Sequence, residues 1–259
     1  MDGQRSAWAV PRLVESLQEC DFYHTMEIPG FGLVEGMWDL REGVGEYLGH
    51  TDFAGQRVLE IGTASGFLCF EMERLGAEVV AFDLSEEYDW DIVPIAGVDV
   101  AAESSARKAH IRRLNNGFWL AHRALASRAR AVHGTVYRIP AEIGEVDVCV
   151  VGCVLMHLRD PFLALQQALR LTRHRAVITD SLDRRALLGR LARRLLGPYA
   201  HFLPDAAAGG PTDSWWRLSP DLVSRMVGVL GFRTVSLSFH QYPFKGVPHR
   251  LFTVVAERH

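Results

Sequence analysis

Short apolar runs recur along the chain from residue 57 onward, and between them lie stretches with helical spacing. Alternation of these two patterns predicts a doubly wound α/β sheet. Strands are expected near 57–61, 78–82, 129–133, 146–151, 174–179, 232–239 and 250–257. Helices are expected over 66–75, roughly 104–126, 161–171 and 219–230. In the first helix Phe67, Phe70, Met72 and Leu75 supply an inward face, and Gly76 reads as a stop signal. Asp160-Pro161 reads as an N-cap followed by proline at the first helical position.

Three less regular pieces surround this core, at 1–50, 84–103 and 181–217. Two of them leave from the carboxyl ends of strands, where open α/β sheets bind ligands. They are therefore candidates for a lid.

A chain of 259 residues with 48% hydrophobic and 23% charged residues can bury the core of one larger α/β domain. A formal charge of −3 gives no global pull towards nucleic acid or anionic membranes. Four cysteines sit singly (Cys20, Cys69, Cys149, Cys153), three of them in apolar runs, which predicts buried free thiols in a reducing compartment. Cys149 and Cys153 fall in a strand and its exit, so they do not converge on a metal, and none is expected. Residues 1–10 have no apolar stretch of signal-peptide length, and the run from Val146 to Leu158 is too short to span a bilayer. The expectation is a cytoplasmic protein without a membrane span.

Candidate chemistry begins at the first strand. Arg57 to Phe67 reads RVLEIGTASGF, and Val79-Val80-Ala81-Phe82-Asp83 follows. Strand, glycine turn, helix, strand and terminal carboxylate in that order form a nucleotide-binding unit. Gly62 and Gly66 let a ligand lie on backbone, and Asp83 can accept hydrogen bonds from a ribose diol. The spacing is not Gly-x-Gly-x-x-Gly, because Ala64 takes the middle place. Glu60 on the strand would repel a pyrophosphate yet suit a cationic or zwitterionic ligand. A ribose carrying an amino-acid tail fits better than NAD.

These residues resemble class I S-adenosylmethionine-dependent methyltransferases. Val58–Gly66 looks like their first motif, and Asp83 like their ribose-binding acid. Gly144–Gly152, leading into Val154-Leu155-Met156-His157-Leu158-Arg159-Asp160-Pro161, is similar to the fourth strand and next helix start of one subgroup. That subgroup includes tRNA wobble-uridine carboxymethyltransferases and many small-molecule methyltransferases. The resemblance implies a Rossmann-like, seven-stranded, mostly parallel sheet with an antiparallel last strand, plus N-terminal and inserted lid segments. It implies one domain over 1–259: a cap at 1–50, a cofactor-binding core at 51–180, a lid insertion at 181–217 and closing elements at 218–259. It also implies S-adenosylmethionine as cofactor. Gly62, Thr63, Ala64 and Gly66, with Glu60 on the strand, would border its methionine part. Asp83 would take the ribose, Leu84 and Gly134-Thr135-Val136 would flank the adenine, and Gly152 and Cys153 would lie near the sulfonium.

An alcohol or phenol acceptor must lose a proton, and histidine suits that near neutral pH. His157, just past the fourth strand, is either that base or a loop anchor. His24 and Asp180 are the other candidates, with packing and turn capping as their alternatives. At least two of Trp38, Tyr88, Trp90, Trp215 and Trp216 are expected to face the site. Residues 184–196 read as an arginine-rich amphipathic helix, either docked on the domain by its apolar face or holding an anionic acceptor, a membrane surface or RNA. The expected activity is methylation of a small molecule, at a hydroxyl of a specialised metabolite or sugar. A tRNA wobble-uridine (carboxy)methyltransferase and a non-catalytic cofactor-binding partner protein are the alternatives; nucleic acid is disfavoured by the net charge.

Overall fold

A computed structural model describes residues 6–182, 197–207 and 210–259. The arginine-rich stretch 184–196 lies outside the described residues. The first elements are a short hairpin of β1 (Met26–Ile28) and β2 (Gly32–Val34), then one helical turn, α1 (Val44–Tyr47). The core follows as β3 (Arg57–Ile61), α2 (Phe67–Arg74), β4 (Glu78–Asp83), α3 (Val100–Ala124), β5 (Arg130–His133) and β6 (Val146–Gly152). It continues with α4 (Pro161–Leu169), β7 (Thr172–Ser181), β8 (Ala200–Phe202), β9 (Trp216–Leu218), α5 (Pro220–Val229), β10 (Phe232–Phe244) and β11 (Val247–Arg258). The main sheet has seven strands in the order β10-β11-β7-β6-β3-β4-β5. Neighbours from β7 to β5 are parallel, and β11 is antiparallel to both β10 and β7.

Both faces of this sheet are covered, which is why its strands read as unbroken apolar runs. Val58, Val79, Ala81, Val148 and Val150 pack with Phe67, Cys69 and Phe118 of α2 and α3. Leu59, Ile61, Val80, Phe82 and Val151 point the other way, onto Leu165 and Leu169 of α4 and Val223 and Val227 of α5. Asp160 caps α4 as expected, accepting the Leu163 N–H at 2.9 Å, with Pro161 in the first turn.

Three local expectations need correction. Leu75 was expected inward but is the C-cap of α2 and 40% exposed, since the helix ends one residue earlier; Leu68 and Cys69 are buried instead. Helix α3 begins at Val100 rather than near 104, because Asp99 accepts the N–H groups of Ala101 and Ala102 and recruits another turn. Strands β10 and β11 run on past 239 and start before 250, forming one long hairpin that contains Pro243 and Pro248. Those prolines face each other in the register, beyond the end of β7, and Pro243 serves the neighbouring N-terminal segment only as an acceptor, from Asp39 N–H at 3.3 Å.

The hairpin tip and the N-terminal segment hold each other. Lys245 N–H donates to Met37 O at 2.6 Å, and Trp38 N–H donates to Tyr23 O at 2.9 Å. Tyr23 N–H in turn donates to Ser65 Oγ at 3.0 Å, placing this segment on the β3–α2 turn. Among the described residues, no helix is long and apolar enough to cross a membrane.

Candidate active site

Strands β3, β4, β5 and β6 end on one edge, and just beyond those ends lies a cavity of about 490 Å³. Its floor is the turn after β3. Gly62, Ala64 and Gly66 all have positive φ (82°, 48° and 94°), so the chain folds back on itself before α2. Glycine is required at 62, where a Cβ would lie 2.3 Å from Val154 Cγ2, and at 66, where it would meet the Phe70 ring at 2.5 Å. Ala64 adopts the left-handed region at a cost of about 1–2 kcal/mol.

That cost is offset by a hydrogen bond across the floor: Ala64 N–H donates to Asp83 Oδ2 at 2.6 Å. Asp83 Oδ1 accepts Leu84 N–H at 2.7 Å. Burial pushes the Asp83 carboxyl up, while these two N–H groups pull it down. A carboxylate has about four acceptor positions, so about two are left for hydroxyl donors. Asn115 of α3 holds the next loop by donating to Leu84 O at 3.1 Å.

Glu60 does not line the cavity; it is buried behind the turn, where the Thr63 hydroxyl donates to it. Burial pushes its carboxyl up to about 8. Thr63 and Gly66 also shape the turn from outside the lining. Gly62, Ala64, Asp83, Leu84, Gly134, Thr135 and Val136 do border the cavity, as do Gly152 and Cys153. At Gly152 a Cβ would come within 2.8 Å of the Tyr47 hydroxyl. Burial raises the Cys153 thiol to about 12, so it is no nucleophile at neutral pH.

His157 lines the opposite wall, on the short turn Leu155–His157 after β6. Its Nδ1 lies 2.5 Å from the backbone carbonyl of Asp213. A carbonyl only accepts, so Nδ1 carries the proton and Nε2 is the basic nitrogen, with no protein partner among the described residues. Burial holds the His157 imidazole below its ordinary pKa, so it is neutral at pH 7. The Trp90 ring meets it edge-on at 5.4 Å, and Arg107 sits over Trp90 at 5.5 Å.

The other two candidate bases lie outside the cavity lining. His24 is buried between Tyr23 and Phe67, and burial lowers it to about 3. Asp180, at the end of β7, accepts Ser181 N–H at 2.6 Å, and its Oδ2 is buried with no hydrogen-bond partner among the described residues. Burial raises it to about 7. Of the five aromatic residues, Trp90 alone borders the cavity, against an expectation of at least two. Trp215 Nε1 is anchored on Asp91 O and Trp216 Nε1 on Arg159 O, while Trp38 packs on Phe244. They fasten the surrounding loops instead.

Sequence reasoning missed Tyr23, Arg107, His110, Asn115, Tyr137 and Asp213, all of which line the cavity. For the α3 residues a signal existed. Positions 107, 110, 111, 114 and 115 share one helical face with spacing 3 and 4. Asp213 had none, because it arrives from 56 residues beyond His157.

The cavity fits S-adenosylmethionine on its own terms. Asp83 keeps free acceptor positions for a diol, Ile61, Phe82, Leu84 and Val136 form an apolar slot, and glycine backbone floors the amino-acid end. Residues 59–179 match the family model described as a methyltransferase domain. Magnesium protoporphyrin IX methyltransferase from Synechocystis PCC 6803, with S-adenosylhomocysteine bound, superposes with a TM-score of 0.50 at 15% identity, over 85% of this chain and 82% of that one. The N-terminal domain of EvdMO1, with S-adenosylhomocysteine and D-fucose present, gives 0.52 at 15% identity, over 93% of each chain. A Listeria monocytogenes protein assigned as an S-adenosylmethionine-dependent methyltransferase gives 0.54 at 13% identity, over 84% and 99%. Comparison with curated protein sequences gives no match. The family match over these residues and the fold of the neighbours support an S-adenosylmethionine-dependent methyltransferase. The stretch from β3 to β7 is the part that matches the methyltransferase domain, and S-adenosylmethionine is its cofactor.

Proposed function

We propose that this enzyme methylates a hydroxyl of a small molecule, a specialised metabolite or sugar, with His157 as general base. The observation that carries this reading is the His157 Nδ1 contact with Asp213 O, which leaves a neutral Nε2 on a residue lining the cavity. When bound, S-adenosylmethionine supplies a methyl group activated by its sulfonium. The protein's part is to align the acceptor, remove its proton to His157 Nε2 as the oxygen–carbon bond forms, and keep water out. Alignment alone contributes on the order of 7–11 kcal/mol, and a placed base roughly 10²–10⁴-fold.

In the same reading Asp83 binds the ribose, and Leu84 with Gly134, Thr135 and Val136 borders the adenine. Gly62 and Ala64 floor the methionine end, with Glu60, Thr63 and Gly66 supporting the turn, and Gly152 and Cys153 lie by the sulfur. His24 and Asp180 take no part. A small acceptor is favoured over a polyanion because two cations beside the cavity are already paired, Arg107 with Asp213 and Lys108 with Asp89, both at 2.8 Å. Four buried free cysteines support a reducing, cytoplasmic setting.

The test is incubation with S-adenosylmethionine and a panel of phenols, sugars and aliphatic alcohols, with a tRNA arm, read by product mass. An O-methylated small molecule is expected. Transfer to tRNA with none to any small acceptor would reject the reading.

A further inference from the structure

Residues 210–216 join three parts of the molecule that are far apart in sequence. They are tied to α3 by Thr212 Oγ1 donating to Glu103 at 3.1 Å and by the Arg107–Asp213 ion pair at 2.8 Å. They are tied to the loop after β4 by Val93 N–H donating to Thr212 O at 2.8 Å and Trp215 Nε1 donating to Asp91 O at 2.7 Å. They reach the turn after β6 through Trp215 N–H on Met156 O at 2.8 Å and through His157 Nδ1 on Asp213 O. Ser214 Oγ donates to Asp213 Oδ1 at 3.1 Å, which fixes that carboxylate beside its own backbone.

We propose that Arg107 and Asp213 are positioning residues: their ion pair docks this strap, and the docked strap presents the carbonyl that holds His157 with Nδ1 protonated and Nε2 free. Its importance for turnover rests on the His157 reading above, whereas docking and tautomer are properties of the protein alone. Which nitrogen of an imidazole carries the proton is set by the hydrogen bond its other nitrogen makes. Without the carbonyl, Nε2 is protonated part of the time and cannot then accept a proton. Enclosing the site and preparing its base are thus one event.

The charged groups acting on His157 are Asp213 from the strap, which favours the imidazolium, and Arg107 from α3, which opposes it. This gives a test with opposite signs. In Asp213→Asn, loss of the neighbouring negative charge alone lowers the His157 pKa further. Release of the strap instead wets the ring and raises it. The measurement is nitrogen-15 NMR of histidine-labelled protein between pH 5 and 8, with His157 assigned by its absence in His157→Gln.

Wild type is expected to show the Nδ1–H tautomer and a pKa below the ordinary value. Asp213→Asn is expected to show mixed tautomers, an upward shift towards the ordinary value, and about tenfold faster amide exchange over 210–216. Arg107→Gln is expected to do the same, and Arg107→Lys to restore the wild-type tautomer. A downward or absent shift with the tautomer unchanged overturns the proposal. Should Asp213→Asn fail to fold, Arg107→Gln decides by its tautomer and its amide exchange over 210–216 alone, because loss of the Arg107 charge by itself also raises the His157 pKa. If the strap releases as described but His157→Gln turns over at the wild-type rate, the base reading fails alone. If His157→Gln is inactive and the tautomer ignores both variants, the strap proposal fails alone.

Discussion

Asp83 and Ala64 are nineteen residues apart, yet the carboxylate of one accepts the N–H of the other at 2.6 Å. The acid at the end of β4 therefore holds the turn at the end of β3 in its left-handed shape. One side chain both builds the floor of the cavity and borders it.

Asp83→Ala is accordingly expected to weaken binding of S-adenosylhomocysteine by roughly 1.5–3 kcal/mol, about 10–150-fold, the range for hydrogen bonds to a charged group. Isothermal titration calorimetry on the folded variant measures it. An unchanged affinity would reject the ribose assignment.

Gly62→Ala combines a φ of 82° with a Cβ lying 2.3 Å from Val154 Cγ2. The strain alone costs about 1–3 kcal/mol. Urea unfolding should show at least that loss. Adding Val154→Ala should recover the clash but not the backbone cost, so the double variant stays less stable than Val154→Ala.

His157→Gln should lower turnover at pH 7 by roughly 10²–10⁴-fold with little change in cofactor affinity. Because burial holds the imidazole below its ordinary value, wild-type activity should persist somewhat below pH 6.5 before falling. A pH–rate profile checks both, and an acid limb above pH 7 in the wild type would contradict the burial argument.

Asp180 gives a stability signature. Its carboxyl is raised from 3.8 to about 7 by burial, so the folded state binds its proton more tightly than the unfolded chain does. The resulting stabilisation is complete below pH 3.8 and is lost as pH rises through about 7, with a magnitude on the order of a few kcal/mol. Unfolding measured at intervals from pH 4 to 8 should therefore fall more steeply for wild type than for Asp180→Asn. Equal slopes would mean that the carboxyl is solvated.

The elements that carry the cavity were legible because their causes are local. Apolar runs specify strands covered on both faces, Asp160-Pro161 specifies a helix start, and Gly62 and Gly66 specify a turn that only a missing Cβ allows. Order along the chain then placed Asp83 beside that turn. Where local rules competed, bounds slipped: Asp99 lengthened α3, and Pro243 and Pro248 did not end a hairpin whose outer half runs on beyond β7.

The sequence by itself thus determined the sheet, the glycine turn and terminal carboxylate that border the cavity, and the position of His157 at a strand exit. Tertiary structure alone decided which nitrogen of His157 is free, which aromatic ring borders the cavity and which only fastens a loop. It also sent Glu60 behind the turn and buried His24 away from the lining. Those outcomes depend on contacts between distant segments, some more than a hundred residues apart, such as Arg107 with Asp213. No period, cap or turn rule acts over that distance; only packing of the whole chain brings such side chains together.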